Sequence, residues 1–143
     1  MSIDDQPRIT LNEIELDVFI KSFEKSKITM DDVGATVIFV GSVRNFNKNY
    51  KVIGMRYESY VKMAEETIKN IEIFVQKKWK IKIIKIIHRI GELRVGDNSI
   101  VIAVSTSHSV DGFEACQFIL NKIKQDVPIW KNESLSDGTT KWI

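Results

Sequence analysis

The hydrophobic and polar positions of this chain repeat with two periods, and their order predicts a domain of mixed helices and strands. Leu16, Phe19, Ile20 and Phe23 follow the i, i+3, i+4, i+7 spacing of an amphipathic helix. The same spacing predicts two longer helices, over residues 61–79 and 110–126. Their predicted core faces comprise Ala64, Ile68, Ile71 and Val75 in the first and Phe113, Cys116, Leu120 and Ile123 in the second.

Between these helices lie runs rich in β-branched residues, which predict buried strands. The predicted strands cover residues 8–11, 34–41, 52–59, 81–90, 99–107, 129–133 and 140–143. In the 52–59 strand, Ile53, Met55 and Tyr57 alternate with polar or small residues, which indicates one buried face. The polar stretches 45–51 and 91–97 predict turns. The resulting order is βαββαββαββ. Adjacent strand pairs favour an α+β fold, with a mixed or antiparallel sheet and helices packed on it.

Composition narrows the class of protein. With 143 residues, the chain is expected to form a single domain over 1–143, with a sizeable core. A net charge of +2 gives little reason to expect nucleic acid as the main partner. No apolar run approaches the ~18 residues that a membrane span needs. The first ten residues are polar, unlike a secretory signal, and one cysteine provides no disulfide framework. Together these features predict a cytoplasmic location.

The segment 124–133 (KQDVPIWKNE) carries the clearest chemical signal in the chain. Pro128 cannot continue a helix and biases Val127 toward extended geometry. Lys124 is therefore expected to close a helix, while Lys131 lies on an extended segment that turns back past it. Two ammonium groups from different elements can then point at one place. A lysine loses part of its preference for the charged form when it lies beside an apolar ring, such as Trp130, and another cation. The pair would suit acid–base chemistry or anion binding.

Other candidate residues lie at the ends of predicted elements. Arg44 follows the strand that ends at Gly41, and an arginine there can hold a phosphate or carboxylate with two hydrogen bonds. His108 sits between a buried strand and a helix, where ligand groups tend to collect. Neither is accompanied by metal ligands at a suitable spacing, so no metal and no cofactor are expected. Cys116 and His88 lie in apolar stretches and are interpreted as structural.

Read together, several motifs resemble the large, catalytic subunit of molybdopterin synthase, the MoaE family. The motifs are 34–47 (GATVIFVGSVRNFN), 57–60 (YESY), 63–65 (MAE), 88–91 (HRIG), 107–108 (SH), 128–133 (PIWKNE) and 141–142 (KW). They occur in the family's order and cover nearly the whole chain from about residue 9. The PIWKxE motif after an upstream lysine is the sharpest of them.

The resemblance implies a fold and an activity. The fold would include a hammerhead-like β subdomain. The enzyme would be a sulfurtransferase that converts cyclic pyranopterin monophosphate to molybdopterin by installing two sulfurs. Each sulfur would arrive as a thiocarboxylate on the C-terminal Gly-Gly of a small ubiquitin-like carrier subunit. The assembly would be a heterotetramer built on a homodimer of this chain.

The resemblance also assigns residues to the site. Lys124 and Lys131 match the family's two essential lysines, and the other matching substrate-binding positions are Ser42, Val43, Arg44, His108, Ser109, Asn132 and Glu133. This sequence departs from the family at two of these. Ser109 stands where an arginine is usual, which puts one phosphate contact in doubt, and Asn132 stands where a basic residue is frequent.

Two other classes of protein are compatible with parts of this pattern. A non-enzymatic anion-binding or scaffolding subunit would keep the core strands and a basic pocket without needing both lysines. An RNA-binding domain fits less well, because the aromatic residues lie on predicted apolar faces rather than among the basic ones.

Overall fold

The computed structural model describes residues 6–143, so the first five residues of the polar N-terminal stretch lie outside the described part. In this described part, three helices and nine strands follow in the order βαβββαβββαββ. The strands are β1 (Ile9–Thr10), β2 (Ala35–Ser42), β3 (Phe46–Asn47), β4 (Tyr50–Ser59), β5 (Ile83–Arg89), β6 (Gly91–Arg94), β7 (Asn98–Thr106), β8 (Ile129–Leu135) and β9 (Thr140–Trp142). The helices are α1 (Leu16–Lys25), α2 (Val61–Lys78) and α3 (Ser109–Asp126).

The first sheet has the order β1-β5-β7-β2, and helices cover both of its faces. The pairs β2–β7 and β5–β7 are antiparallel, and β1–β5 is parallel. Because strand side chains alternate, Ile84 and Ile86 face α2 and α3, whereas Ile83 faces Phe19 and Phe23 of α1. β5 therefore has apolar residues on both faces, as the sequence predicts.

The second sheet has the order β3-β4-β8-β9, with β6 also paired to β4. The β3–β4, β4–β8 and β8–β9 pairs are antiparallel. A small apolar cluster of Val43, Met55, Tyr57 and Leu93 forms its core. The predicted α+β class with a hammerhead-like β subdomain is confirmed. None of the helices within residues 6–143 is both long and apolar enough to span a membrane.

Two predicted turns contain strands instead. Within 45–51, β3 and the start of β4 form a hairpin whose turn includes Lys48 in the left-handed region, with φ 54°. Within 91–97, β6 pairs with β4 before the turn begins. In β6, Glu92 and Arg94 are exposed and Leu93 is buried, because a strand of a curved sheet needs apolar residues on one side only. In β3, Phe46 is exposed and the polar Asn47 is half-buried. A register shift between Val52 and Gly54 also reverses the alternation there, so Ile53 is exposed while Val52 is buried.

The predicted core face of the third helix was wrong by about one position at its start. Phe113 is 66% exposed, and the buried side of α3 runs through Gly112, Ala115, Cys116 and Ile119 instead. A methyl group on Gly112 would lie 3.0 Å from Val37 Cγ2 of β2. The small residues let α3 approach the sheet closely, and this contact outweighs burial of the phenylalanine.

Gly34, which precedes β2, is also closely packed, in this case against Ser107 after β7, and it provides a test of the effect of an added methyl group. A Cβ at Gly34 would overlap the Ser107 carbonyl oxygen, and the Gly34 N–H donates to the Thr106 carbonyl at 2.9 Å. Gly34→Ala should lower the free energy of unfolding by roughly 2–3 kcal/mol, since overpacking forces the backbone to shift. Urea denaturation would measure the change. Gly54→Ala is the comparison, because its added methyl would lie no closer than 3.3 Å to the Leu93 carbonyl oxygen and its φ is not positive. An equal or smaller loss for Gly34→Ala would contradict the packing argument.

Candidate active site

A cavity of about 590 Å³ opens where the end of the first sheet meets the second sheet and the C-terminal end of α3. Its wall combines cations, hydroxyl groups and apolar side chains. The lining residues are Phe39, Gly41, Ser42, Arg44, Tyr57, His88, Ser99, Ile100, Leu120, Ile123, Lys124, Ile129, Lys131 and Ile143. Such a mixed lining suits a small molecule with a charged part and a flat apolar part.

Lys124 lies in the last turn of α3, as the sequence predicts. The helix ends because Val127 adopts φ −81° and ψ 129°, the extended geometry that Pro128 imposes on the preceding residue. The Val127 N–H still donates to the Ile123 carbonyl at 3.2 Å. The chain then reverses directly into β8, and Lys124 is left exposed at the mouth of the cavity.

Lys131 enters the same cavity from β8, where it is paired with Tyr57 of β4. Its pKa is lowered from the usual 10.5, first by burial and then by the charges of Lys124 and Arg44, while Glu133 acts in the opposite direction. The predicted convergence of two ammonium groups is therefore present within one chain. The lowered pKa makes Lys131 release its proton more readily than an ordinary lysine does.

The segment after β2 contributes in two ways. Ser42 and Arg44 line the cavity, and the Arg44 guanidinium lies 5.2 Å from the centre of the Phe46 ring. Val43 does not line the cavity. Its N–H donates to the Asp97 carbonyl at 3.0 Å, and its carbonyl accepts from the Gly96 N–H at 2.9 Å. These bonds use the backbone groups of Val43 for the fold rather than leaving them for a ligand.

Asn132 and Glu133 are buried beside Lys131 and lie outside the cavity lining. Both carboxylate oxygens of Glu133 accept hydrogen bonds from Asn47 Nδ2, at 3.0 and 3.1 Å. This contact ties β8 to β3. Glu133 influences the site by its charge near Lys131 and by fixing the strand that carries it.

His108 and Ser109 lie at the opposite end of α3 from Lys124. His108 is grouped with Lys78, Lys80, Lys82 and Asp111 around a separate cavity of about 430 Å³. Ser109 and Lys124 are 15 positions apart along α3, which corresponds to roughly 22 Å at 1.5 Å per residue. Within one chain, the structure does not bring these two residues to the lysine pair.

The structure adds Tyr57, His88 and Ser99 to the site, which the sequence analysis did not select. All three are buried and line the cavity. A signal was available for His88, since it lies near the end of a strand, as His108 does. Burial raises the pKa of the Tyr57 hydroxyl, a hydrogen bond with Ser99 lowers it, and the Glu133 charge raises it.

His88 is held as a neutral imidazole. Burial, assisted by the Lys131 charge, lowers the pKa of His88 from 6.5 to about 4, against the opposing effect of its bond to the Arg89 carbonyl. Cys116 is buried on the side of α3 that faces the hydrophobic core, and it does not line the cavity. Burial raises the pKa of its thiol to about 11. Among residues 6–143, no three His, Cys, Asp or Glu side chains are arranged to hold a metal ion.

Comparisons with known proteins agree on one family. The family model described as "MoaE protein" matches residues 9–126. A molybdopterin synthase catalytic subunit from Rattus norvegicus is 35% identical over 152 residues, covering 96% of this chain and 76% of the relative. One from Staphylococcus aureus (strain Mu50) is 41% identical over 109 residues, covering 76% of this chain and 73% of the relative.

Solved structures agree with these sequence matches. The crystal structure of molybdopterin synthase from Staphylococcus aureus has a TM-score of 0.85 and 34% identity, and 97% of each chain is covered. A complex of subunits 1 and 2 of the molybdopterin-converting factor from Helicobacter pylori has a TM-score of 0.72. That chain is 21% identical, and the match covers 95% of this chain and 87% of that one, so it shows similarity of fold alone.

The neutral state of His88 predicts how stability depends on pH. The unfolded chain protonates His88 near pH 6.5, whereas the folded chain does so near pH 4. The unfolded state therefore binds more protons in this window, and the free energy of unfolding should fall as pH drops through it. The difference in pKa corresponds to a loss of at most about 3 kcal/mol.

Urea denaturation of the wild type and His88→Asn between pH 7.5 and 4 would measure this loss. Asparagine does not titrate, and all other groups are common to both proteins. The difference in stability between wild type and variant should shrink as pH falls. A difference that stays constant over the range would contradict a buried neutral His88.

Proposed function

This chain belongs to the MoaE protein family, and from that premise we propose that it is the catalytic subunit of a molybdopterin synthase in molybdenum cofactor biosynthesis. The substrate would be cyclic pyranopterin monophosphate, and the reaction would install two sulfurs on it. The observation that carries this proposal is the convergence of Arg44, Lys124 and Lys131 on one cavity that also has apolar walls. A phosphate needs the cations, and a flat heterocycle needs the walls.

We assign a role to each cation, and the positions of the three side chains support the assignment. Arg44 and Lys131 hold the substrate phosphate and orient the substrate. Lys124, exposed at the mouth, meets the incoming sulfur donor. Transfer of sulfur from an acyl group passes through anionic tetrahedral species, and a fixed ammonium group stabilises that charge. No thiol of this chain is required, because the sulfur comes from the carrier, which agrees with the buried position of Cys116.

The partner we propose is a small ubiquitin-like carrier that ends in a Gly-Gly thiocarboxylate. The two-subunit complex from Helicobacter pylori, which shares this fold, supports a partner of this kind. A narrow tail without bulky side chains would fit the cavity mouth beside Lys124 while the precursor occupies the pocket. We place the enzyme in the cytoplasm, where its carrier and substrate would be made.

We also propose a homodimer of this chain within a heterotetramer. The separation of His108 from Lys124 along α3 supports it, because a histidine acting at this site must then come from a second copy. Ser109 would accompany His108. The basic group around His108 would then add cations to a neighbouring pocket rather than to its own.

A non-enzymatic anion-binding subunit would use the same cavity. It would require the cations for binding but no particular contribution from Lys124 to a rate. The variants described next separate this possibility from the enzyme.

Lys124→Ala should lower single-turnover sulfur transfer by ~100- to 1000-fold while the precursor still binds, since an interaction made in the transition state is lost. Lys124→Arg should not restore the rate, because a planar guanidinium cannot replace a compact amine. Lys131→Ala should weaken precursor binding more than it slows transfer. Rates would be measured with cyclic pyranopterin monophosphate and thiocarboxylated carrier, and affinities by calorimetry.

Two control variants test whether the effects are local. Lys122→Ala removes a lysine from the same helix outside the cavity, where it pairs with Asp126 at 3.4 Å. Cys116→Ala removes the one thiol. Both should transfer sulfur at near wild-type rates. Near-normal turnover in Lys124→Ala would leave the anion-binding subunit as the better description.

Mixing two inactive variants tests whether His108 acts from the second copy of the chain. If His108 acts across the dimer, a mixed dimer of Lys124→Ala and His108→Ala chains contains one site with both groups. It should recover about half the wild-type turnover, because one of two equivalent sites is intact. Each variant alone should be impaired. A mixed dimer as inactive as its parents would place the role of His108, if any, within its own chain.

A further inference from the structure

The cavity has a buried floor that differs chemically from its mouth. His88, Tyr57 and Ser99 are 5%, 6% and 6% exposed, whereas Lys124 and Arg44 at the mouth are exposed. The two exposed cations therefore lie where the cavity opens, and the uncharged polar groups lie at its base, near the half-buried Lys131. The proposed role of the cations leaves this base without a function.

Hydrogen bonds to backbone carbonyls orient the floor at both ends. Ser99 Oγ lies 3.2 Å from the Gly41 carbonyl oxygen, and His88 Nδ1 lies 2.8 Å from the Arg89 carbonyl oxygen. A carbonyl oxygen can only accept, so each side chain must donate its hydrogen there. For His88 this places the hydrogen on Nδ1. In a neutral imidazole, the other nitrogen, Nε2, is then an acceptor.

Two neighbours keep this imidazole fixed and uncharged. The Tyr57 and His88 rings make an edge-to-face contact, with centroids 5.1 Å apart and an interplanar angle of 71°. Burial and the nearby Lys131 charge both oppose protonation of His88. The acceptor is thus rigidly held beside cations that could not themselves accept a hydrogen bond.

We propose that His88 is a substrate-binding residue whose Nε2 accepts a hydrogen bond from an N–H group of the heterocycle, while the cations at the mouth hold the phosphate. The inference rests on the proposed function and concerns the same cavity. A reduced pterin presents N–H donors along its edge, and Phe39, Ile100 and Ile129 supply apolar walls beside the acceptor. The buried floor thereby recognises the heterocycle, and the cations at the mouth recognise the phosphate.

Nuclear magnetic resonance of the wild-type protein tests the acceptor directly. The chain has two histidines, so a long-range ¹H–¹⁵N spectrum contains two imidazoles, which His108→Gln would assign. The free protein should show His88 protonated on Nδ1 alone. Cyclic pyranopterin monophosphate should move the Nε2 resonance upfield, as expected for a nitrogen that gains a hydrogen bond. Inorganic phosphate, which has no N–H donor, should leave it unchanged.

Paired substitutions test the effect on binding. His88→Asn keeps a donor near the Arg89 carbonyl and loses the acceptor, whereas His88→Gln places an amide oxygen near the position of Nε2. His88→Asn should raise the KM for precursor ~10-fold with kcat little changed, as for the loss of one binding hydrogen bond. His88→Gln should recover part of this loss. Affinity for inorganic phosphate should match wild type in both.

The outcomes separate this role from the proposed function. Wild-type protein that neither binds nor converts the precursor overturns both. Wild-type protein that binds the precursor with the Nε2 resonance unmoved overturns the role of His88 alone. The same holds if His88 proves protonated on Nε2 in the free protein. That measurement needs no folded variant of His88.

Discussion

The junction between α3 and β8 is the constraint on which the site depends. Pro128 has no N–H and forces Val127 out of helical geometry, so the helix must end and the chain must extend at once. Ser59 Oγ donates to the Pro128 carbonyl at 2.9 Å, which fixes the junction against β4. The reversal brings the last turn of a helix and a strand of the second sheet to the same cavity. A lysine from each element then faces the other.

Local patterns were enough to predict most elements and the lysine pair. The helices, the buried strands and the meeting of Lys124 with Lys131 all depend on periodicity and on one proline, which act over a few residues. The error at Phe113 has a different origin. Periodicity defines an apolar stripe on a helix, but Gly112 and Ala115 decide which part of the stripe the sheet can approach. That choice depends on a partner distant in the sequence.

The site residues were predicted less well than the helices and strands, because all strand ends were taken as equivalent places for ligand groups. In an antiparallel sheet, neighbouring strands end at opposite edges. The ends of β2 and β5 therefore meet the start of β7, which brings Gly41, His88 and Ser99 together. The end of β7 lies at the other edge, and His108 goes there with it. A rule taken from parallel sheets placed His108 beside the lysine pair of its own chain and passed over His88, and only the strand pairing distinguishes them.

The bidentate contact between Asn47 and Glu133 has a consequence for the thermodynamics of binding. It joins the β3–β4 hairpin, adjacent to Arg44 and Phe46, to the strand that bears Lys131. Groups that hold an anion normally lose conformational freedom when it arrives, and this loss weakens binding. Because two hydrogen bonds already restrain the hairpin and the strand, part of this conformational entropy is lost on folding rather than on binding. The part of the cavity that holds Arg44 and Lys131 is thus preorganised by an amide and a carboxylate that lie outside the cavity lining.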